Sequence, residues 1–104
     1  MHVFNTATLT TTQIAIPINI GTNTKHPLIL ADGRIVLISN NDIYIADDIN
    51  LTNIQKKLTM TGLTSSSHGL SWTTDYNNHY LYVWYNETSK MAKIDLTTYT
   101  ANYF

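Results

Sequence analysis

The chain has 104 residues, a formal net charge of -1 and no cysteine. A nearly neutral chain lacks the positive field that holds nucleic acid or an anionic membrane surface, and the absence of thiols excludes disulfides, thiol catalysis and cysteine-ligated zinc. Charged residues make up only 12% of the chain, so Thr and Asn supply much of the polar surface, and the length predicts one domain.

The N-terminal segment, residues 1–12, is polar and Thr-rich, with Val3, Phe4 and Leu9 as its apolar points. This composition predicts an arm that docks on a neighbouring subunit. The segment has no basic region followed by an apolar stretch, so no secretion signal is expected, and no run in the chain has the length of a membrane span.

Alternating isoleucines follow this arm. From Ile14 to Ile20 every second residue is Ile, which predicts a half-buried strand, and Pro17 places that strand at a sheet edge because it lacks an N–H group.

A hairpin is predicted around Asp32-Gly33, which separates the apolar run Leu28–Ala31 from Arg34–Ile38. The second run is apolar on both faces, and it therefore indicates a central strand covered on each side. Ile43–Ala46 continues the pattern after a short polar turn.

The segment 47–62 is ambiguous. Leu51, Ile54 and Leu58 have helical spacing, whereas Ile54, Leu58 and Met60 fit one face of a strand. The threonines of this segment are poor helix formers, so a strand plus a turn is favoured over a helix.

Period-two alternation returns in the last third of the chain, which predicts an all-β domain of antiparallel hairpins in a meander. The expected organisation is an arm, two β units and a loop between the units. The boundaries are 1–12 for the arm, 13–62 for the first unit, 63–69 for the loop and 70–104 for the second unit.

The two units share a strand-turn-strand pattern. Gly33 aligns with Asn78 and Ile35 with Tyr80, an offset of 45 residues that suits one four-stranded propeller blade. The pattern resembles the repeats of β-propellers, without a Trp-Asp dipeptide or a sialidase Asp box. The resemblance implies two propeller-like blades. Two blades cannot close a ring, so it also implies a homo-oligomer or docking into a larger assembly.

The residue types of catalysis occur without their usual context. Ser65–Ser67, His68 and Asp75 include the types of a nucleophilic triad but lack a nucleophile elbow. The four histidines share no ligand spacing, and the acidic residues lack the spacing of a calcium loop. We expect no enzyme activity, no bound metal and no cofactor.

Aromatic residues form the one constellation that suggests a function: Trp72, Tyr76, Tyr80, Tyr82 and Trp84. Flat rings beside Asn and Thr are typical of sugar-binding surfaces, which stack on a pyranose. Strand aromatics more often pack in a core or a subunit interface, and this interpretation is favoured.

Two functions from different classes follow. The first is a non-catalytic structural or adhesive protein, because the composition resembles that of small virus and phage particle components such as decoration, fibre or tail proteins. This hypothesis predicts location in a virion or outside the cell, without a signal peptide. The alternative is a small oligomeric carbohydrate-binding lectin of two-blade protomers, with glycans as ligands.

Overall fold

A computed structural model describes residues 1–17, 27–39, 41–61, 70–75, 77–85 and 90–104. Within these ranges the chain forms strands and turns without a helix, which confirms the all-β prediction. The strands are β1 (His2–Asn5), β2 (Thr10–Gln13), β3 (Leu28–Ile29), β4 (Ile35–Ser39), β5 (Asp42–Ala46), β6 (Gln55–Thr59), β7 (Leu70–Thr74), β8 (Tyr80–Tyr85), β9 (Lys90–Asp95) and β10 (Ala101–Tyr103).

These strands form three antiparallel sheets, which we call layers. The first layer is the hairpin β1–β2, the second layer contains β3–β6, and the third layer contains β7–β10. In both four-stranded layers each strand pairs with its neighbours in the chain, so both are simple meanders.

The main hydrophobic core lies between the second and third layers. Alternate residues of β4 and β5 point towards the third layer, and alternate residues of β8 and β9 point back, as period-two alternation requires. Burial of this surface is the main source of stability for a chain of this size. The fully buried members from these strands are Val36, Ile38, Ile43, Ile45, Leu81, Val83, Ala92 and Ile94.

A second core lies between the first and second layers. Met1, Ile14 and Ile16 pack against the other face of the second layer. That face consists of Ile35, Leu37, Tyr44, Ala46, Leu51 and Ile54. Strand β4 is therefore covered on both faces, which confirms it as a central strand.

Polar contacts join the second and third layers at the rim of the main core. The guanidinium Nη1 of Arg34 donates to Leu96 O at 2.8 Å and to Tyr99 Oη at 3.0 Å. The backbone N–H of Ala31 donates to Asn78 Oδ1, and the backbone N–H of Thr61 donates to Tyr103 Oη at 3.0 Å. These bonds fix the relative position of the two sheets.

The structure confirms two local predictions and differs from a third. Asp32-Gly33 lies in the turn of the β3–β4 hairpin, and residues 47–61 contain a turn and the strand β6 rather than a helix. Ile14 to Pro17 lie outside any strand, although Ile14 and Ile16 pack in the second core, and 18–20 fall outside the described residues.

The predicted arm, residues 1–12, contains β1 and most of β2. Its hairpin continues into Ile14 and Ile16, which pack on the chain's own second layer. The predicted loop, 63–69, falls outside the described residues.

Equivalent positions in the second and third layers follow from their faces. We call the face towards the earlier layer the preceding face and the opposite one the following face. Ile35 lies on a preceding face and therefore corresponds to Leu81, one residue beyond Tyr80. The reason is turn length, because five residues separate Ile29 from Ile35 and six separate Thr74 from Leu81. The cross-strand pair Ile35–Ala46 is therefore equivalent to Leu81–Ile94, and the pair Leu37–Tyr44 is equivalent to Val83–Ala92.

Candidate interaction surface

The following face of the third layer carries a row of aromatic residues from β8. Tyr80, Tyr82 and Trp84 alternate with Leu81 and Val83, whose side chains are completely buried in the main core. Strand alternation therefore directs the three aromatic side chains away from the second layer. Tyr80 and Tyr82 are half-buried, and Trp84 is 41% exposed.

Two further apolar residues extend this row across the sheet. Met91 is the cross-strand partner of Trp84, and Met91 and Phe104 exchange backbone hydrogen bonds of 3.2 and 2.8 Å. These pairings place Trp84, Met91 and Phe104 on one face. Phe104 is 67% exposed. We call the surface formed by Tyr80, Tyr82, Trp84, Met91, Lys93 and Phe104 the aromatic face.

Lys93 orders the tyrosine side of this face. Its Nζ lies 4.2 Å from the ring centroid of Tyr80 and 6.0 Å from that of Tyr82. A cation over an aromatic ring at such distances contributes about 0.5–1 kcal/mol where water has access. The ammonium group therefore covers one face of the Tyr80 ring.

The centre of the corresponding face of the second layer is buried. Tyr82 and Trp84 are the equivalents of Val36 and Ile38, each only 1% exposed beneath the third layer. Neither buried cluster formed by the described residues includes a member of the aromatic face. The following face thus lies in the main core in the second layer and on the outside of the described structure in the third layer.

The predicted site residues divide between the two faces of the third layer. Tyr80, Tyr82 and Trp84 lie together as expected. Trp72 pairs with Val83 on the opposite face and packs against the main core, and Tyr76 lies outside the described residues. Sequence reasoning missed Met91 and Phe104, although the register of the β8–β9 hairpin predicts the first of them.

A polar groove lies where the second and third layers meet, with a cavity volume of about 410 Å³. Within it, the Nζ of Lys57 lies 5.3 Å from the ring centroid of Tyr99 and donates to Gln55 Oε1 at 3.1 Å. No sequence signal indicated this groove, because its residues come from separate strands and turns: Arg34, Ile45, Asp47, Asn53, Gln55, Lys57 and Tyr99.

The acidic residues that the structure describes serve turns and strand ends. Asp75 Oδ1 accepts a hydrogen bond from the backbone N–H of Tyr80 at 3.0 Å, and Asp42 Oδ1 accepts one from the Thr59 hydroxyl at 2.6 Å. The Thr52 hydroxyl donates to Asp48 at 2.8 Å and, with backbone N–H groups, lowers the pKa of that carboxyl.

Candidate catalytic groups are not brought together in the described ranges. His79 is exposed, and Ser65–Ser67 and His68 fall outside those ranges. Among the residues that the structure describes, no three His, Asp or Glu side chains converge as metal ligands would.

In the described part of the chain, no helix has the length and apolar character needed to cross a membrane. Comparison with known proteins gave no matching family model, no matching curated protein and no matching solved structure.

Proposed function

We propose that this chain is a non-catalytic structural or adhesive β protein that acts as a subunit of a larger assembly, such as a virus or phage particle. The observation that carries the proposal is the aromatic face. Its equivalent in the second layer is covered by a neighbouring sheet, and we infer that a neighbouring subunit covers it in the same way.

A comparison of Ile14 with Phe104 supports this inference. Each follows the second strand of a hairpin and exchanges backbone hydrogen bonds with a methionine at the start of the first strand, Met1 for Ile14 and Met91 for Phe104. Ile14 packs on the second layer, whereas Phe104 is 67% exposed. Among the described residues, the same position is thus covered where another layer packs on the sheet and open on the third layer, on which none packs.

The chemistry of the aromatic face suits protein contact. Its centre combines Trp84, Met91 and Phe104, residue types enriched in interfaces, and Lys93 is the only charged residue that we include in it. An exposed aromatic cluster on a sheet face is typical of an interaction site rather than of a monomer's surface. The proposed neighbour is a β-sheet of a second copy of this chain.

The mass of the purified chain in solution, measured by light scattering over a range of concentrations, tests the proposal. We expect self-association by the wild-type chain and a monomer for Trp84→Glu, because the charge would be buried without a partner. Leu9→Glu is the matched control, since Leu9 is another exposed apolar residue but lies in the β1–β2 turn. A wild-type chain that stays monomeric, with the same mass as Trp84→Glu at every concentration, contradicts the proposal.

Carbohydrate binding is the second candidate, and the exposed ring of Trp84 is the observation that favours it. It ranks lower because Lys93 already lies over Tyr80. Glycan-array binding that Trp84→Ala abolishes while its circular dichroism spectrum stays unchanged would support a lectin. A blank array with correctly assembled wild-type protein would exclude glycans as the ligand.

A further inference from the structure

The first layer repeats the second half of the third layer. In the β1–β2 turn, Asn5 Oδ1 accepts hydrogen bonds from the backbone N–H groups of Ala7 and Thr8 at 2.9 and 3.2 Å. In the β9–β10 turn, Asp95 Oδ1 accepts from Thr97 and Thr98 at 2.7 and 3.1 Å.

The remainder of the two turns also matches. Leu9 and Tyr99, each four residues after the capping side chain, have φ values of 56°. A hydroxyl–hydroxyl hydrogen bond spans each turn, between Thr8 and Thr10 at 2.7 Å and between Thr98 and Thr100 at 2.8 Å. By this equivalence β1 corresponds to β9, β2 corresponds to β10, and Met1 corresponds to Met91.

The two hairpins differ in what lies beside their first strand. β9 pairs with β10 on one side and with β8 on the other, whereas β2 is the one strand among the described residues that pairs with β1. Met1 and Ile14 exchange backbone hydrogen bonds, so the alternation of an antiparallel ladder directs the backbone groups of His2 and Phe4 to the other edge. Within the described residues, the backbone donors and acceptors of that edge have no strand partner.

An apolar cleft lies beside this edge, with a cavity volume of about 250 Å³. Its walls expose large apolar side chains, with Ile29 at 63% and Phe4 at 57%. Ile35 forms part of the floor and belongs to the second core, so the cleft continues a packed interior. The cleft is lined by Met1, His2, Val3, Phe4, Pro27, Ile29, Ile35 and Ile49.

We propose that this cleft binds a β-hairpin of a neighbouring polypeptide. The nearer strand of the hairpin pairs antiparallel with the free edge of β1, as β8 pairs with β9. Its apolar face lies on Ile29 and Ile35, and the first layer gains the two strands that the second and third layers already have. A strand with alternating apolar residues supplies both the backbone hydrogen bonds and the apolar contact that this site requires.

A fusion protein tests the proposal. A second copy of residues 70–90, which contains β7 and β8, is placed directly before Met1 of the complete chain. Met1 corresponds to Met91, so a copy that ends at residue 90 joins Met1 as residue 90 joins Met91. The added strands are thus connected to β1 by the same sequence that connects β8 to β9. The covalent link keeps their effective concentration high.

We expect the backbone amides of His2 and Phe4 to exchange hydrogen at least about tenfold more slowly in the fusion protein than in the parent chain. The melting temperature should rise by at least about 4 °C. The control is the same fusion protein with proline at the added position that is copied from Tyr82, which lies in the strand that pairs with β1. It should show neither effect, because proline disrupts the hydrogen bonding of a strand within a sheet.

Equal exchange rates in the fusion protein, the proline control and the parent chain would overturn the proposal. Protection of His2 and Phe4 that rises with the concentration of the parent chain alone would also overturn it, in favour of edge-to-edge pairing of two β1 strands. The cleft and the aromatic face involve different layers, so the outcome of this experiment is independent of the outcome for Trp84→Glu.

Discussion

Asn5 and Asp95 hold the same position in two hairpin turns, and each side chain accepts hydrogen bonds from the backbone N–H groups two and three residues further along the chain. Short polar side chains stabilise turns in this manner. The neutral amide and the charged carboxylate are therefore interchangeable as acceptors at this position. They differ in that only the carboxylate titrates.

Asp95→Asn should fold like the wild type and resist acid better. Hydrogen bonds from Thr97 and Thr98 lower the pKa of Asp95 below its ordinary value of 3.8. In the unfolded chain this carboxyl has its ordinary pKa, and above that pH its contribution to stability is fully present. The contribution is lost as the pH falls through the lowered pKa of the folded chain. Urea midpoints measured between neutral pH and about pH 3 should fall less steeply for Asp95→Asn. Identical pH profiles for the two proteins would contradict this prediction.

Gly33→Asn should destabilise the protein less than Gly33→Ala. Gly33 has a φ of 93°, and the corresponding Asn78 has a φ of 55°, so both are in the left-handed region that favours Gly and Asn. A Cβ atom at Gly33 would meet no atom within 4 Å, so the cost comes from backbone strain alone. We expect Gly33→Ala to cost about 1–2 kcal/mol in urea unfolding. An equal cost for both substitutions would contradict the prediction.

Local patterns in the sequence were sufficient to predict the all-β fold and several of its elements. Asp32-Gly33 predicted a hairpin, and the run of apolar residues on both faces of β4 predicted a covered strand. Both predictions succeeded because each signal depends only on residues that are adjacent in the sequence. The alignment of Ile35 with Tyr80 differed from the structure by one residue, since alternation does not reveal an extra residue in a turn. Such a shift moves a side chain to the other face.

The aromatic face was partly predictable for the same reason. Alternation placed Tyr80, Tyr82 and Trp84 together but could not decide which face of β8 would be buried. Trp72 was grouped with them by proximity in sequence, although its pairing with Val83 places it on the core side. Phe104 entered the surface only through its hydrogen bonds with Met91, a contact that the sequence does not encode locally.

Leu81→Ala should destabilise the protein much more than Thr73→Ala. Leu81 is completely buried between the second and third layers, whereas Thr73 is exposed and pairs with Tyr82 on the following face. Loss of a buried leucine side chain typically costs about 2–5 kcal/mol, because a cavity is left behind. Denaturant unfolding monitored by tryptophan fluorescence measures both variants. A cost below about 1 kcal/mol for Leu81→Ala would show that the main core is not packed as described.

Arg34 and Tyr99 should be energetically coupled, because the guanidinium Nη1 donates to Tyr99 Oη at 3.0 Å across the rim of the main core. A double-mutant cycle with Arg34→Gln and Tyr99→Phe isolates this contact, since Tyr99→Phe removes only the hydroxyl group. We expect a coupling of about 0.5–1.5 kcal/mol in urea unfolding.

The comparison cycle uses Arg34→Gln with Asp32→Asn. The ion pair between Arg34 and Asp32, at 2.8 Å, is more exposed and joins two residues of one turn. High salt should weaken that second coupling and leave the first nearly unchanged, because screening acts mainly on exposed charge pairs. No coupling to Tyr99 would mean that this hydrogen bond does not help to hold the two layers together in solution, and that Arg34 acts there through Leu96 O alone.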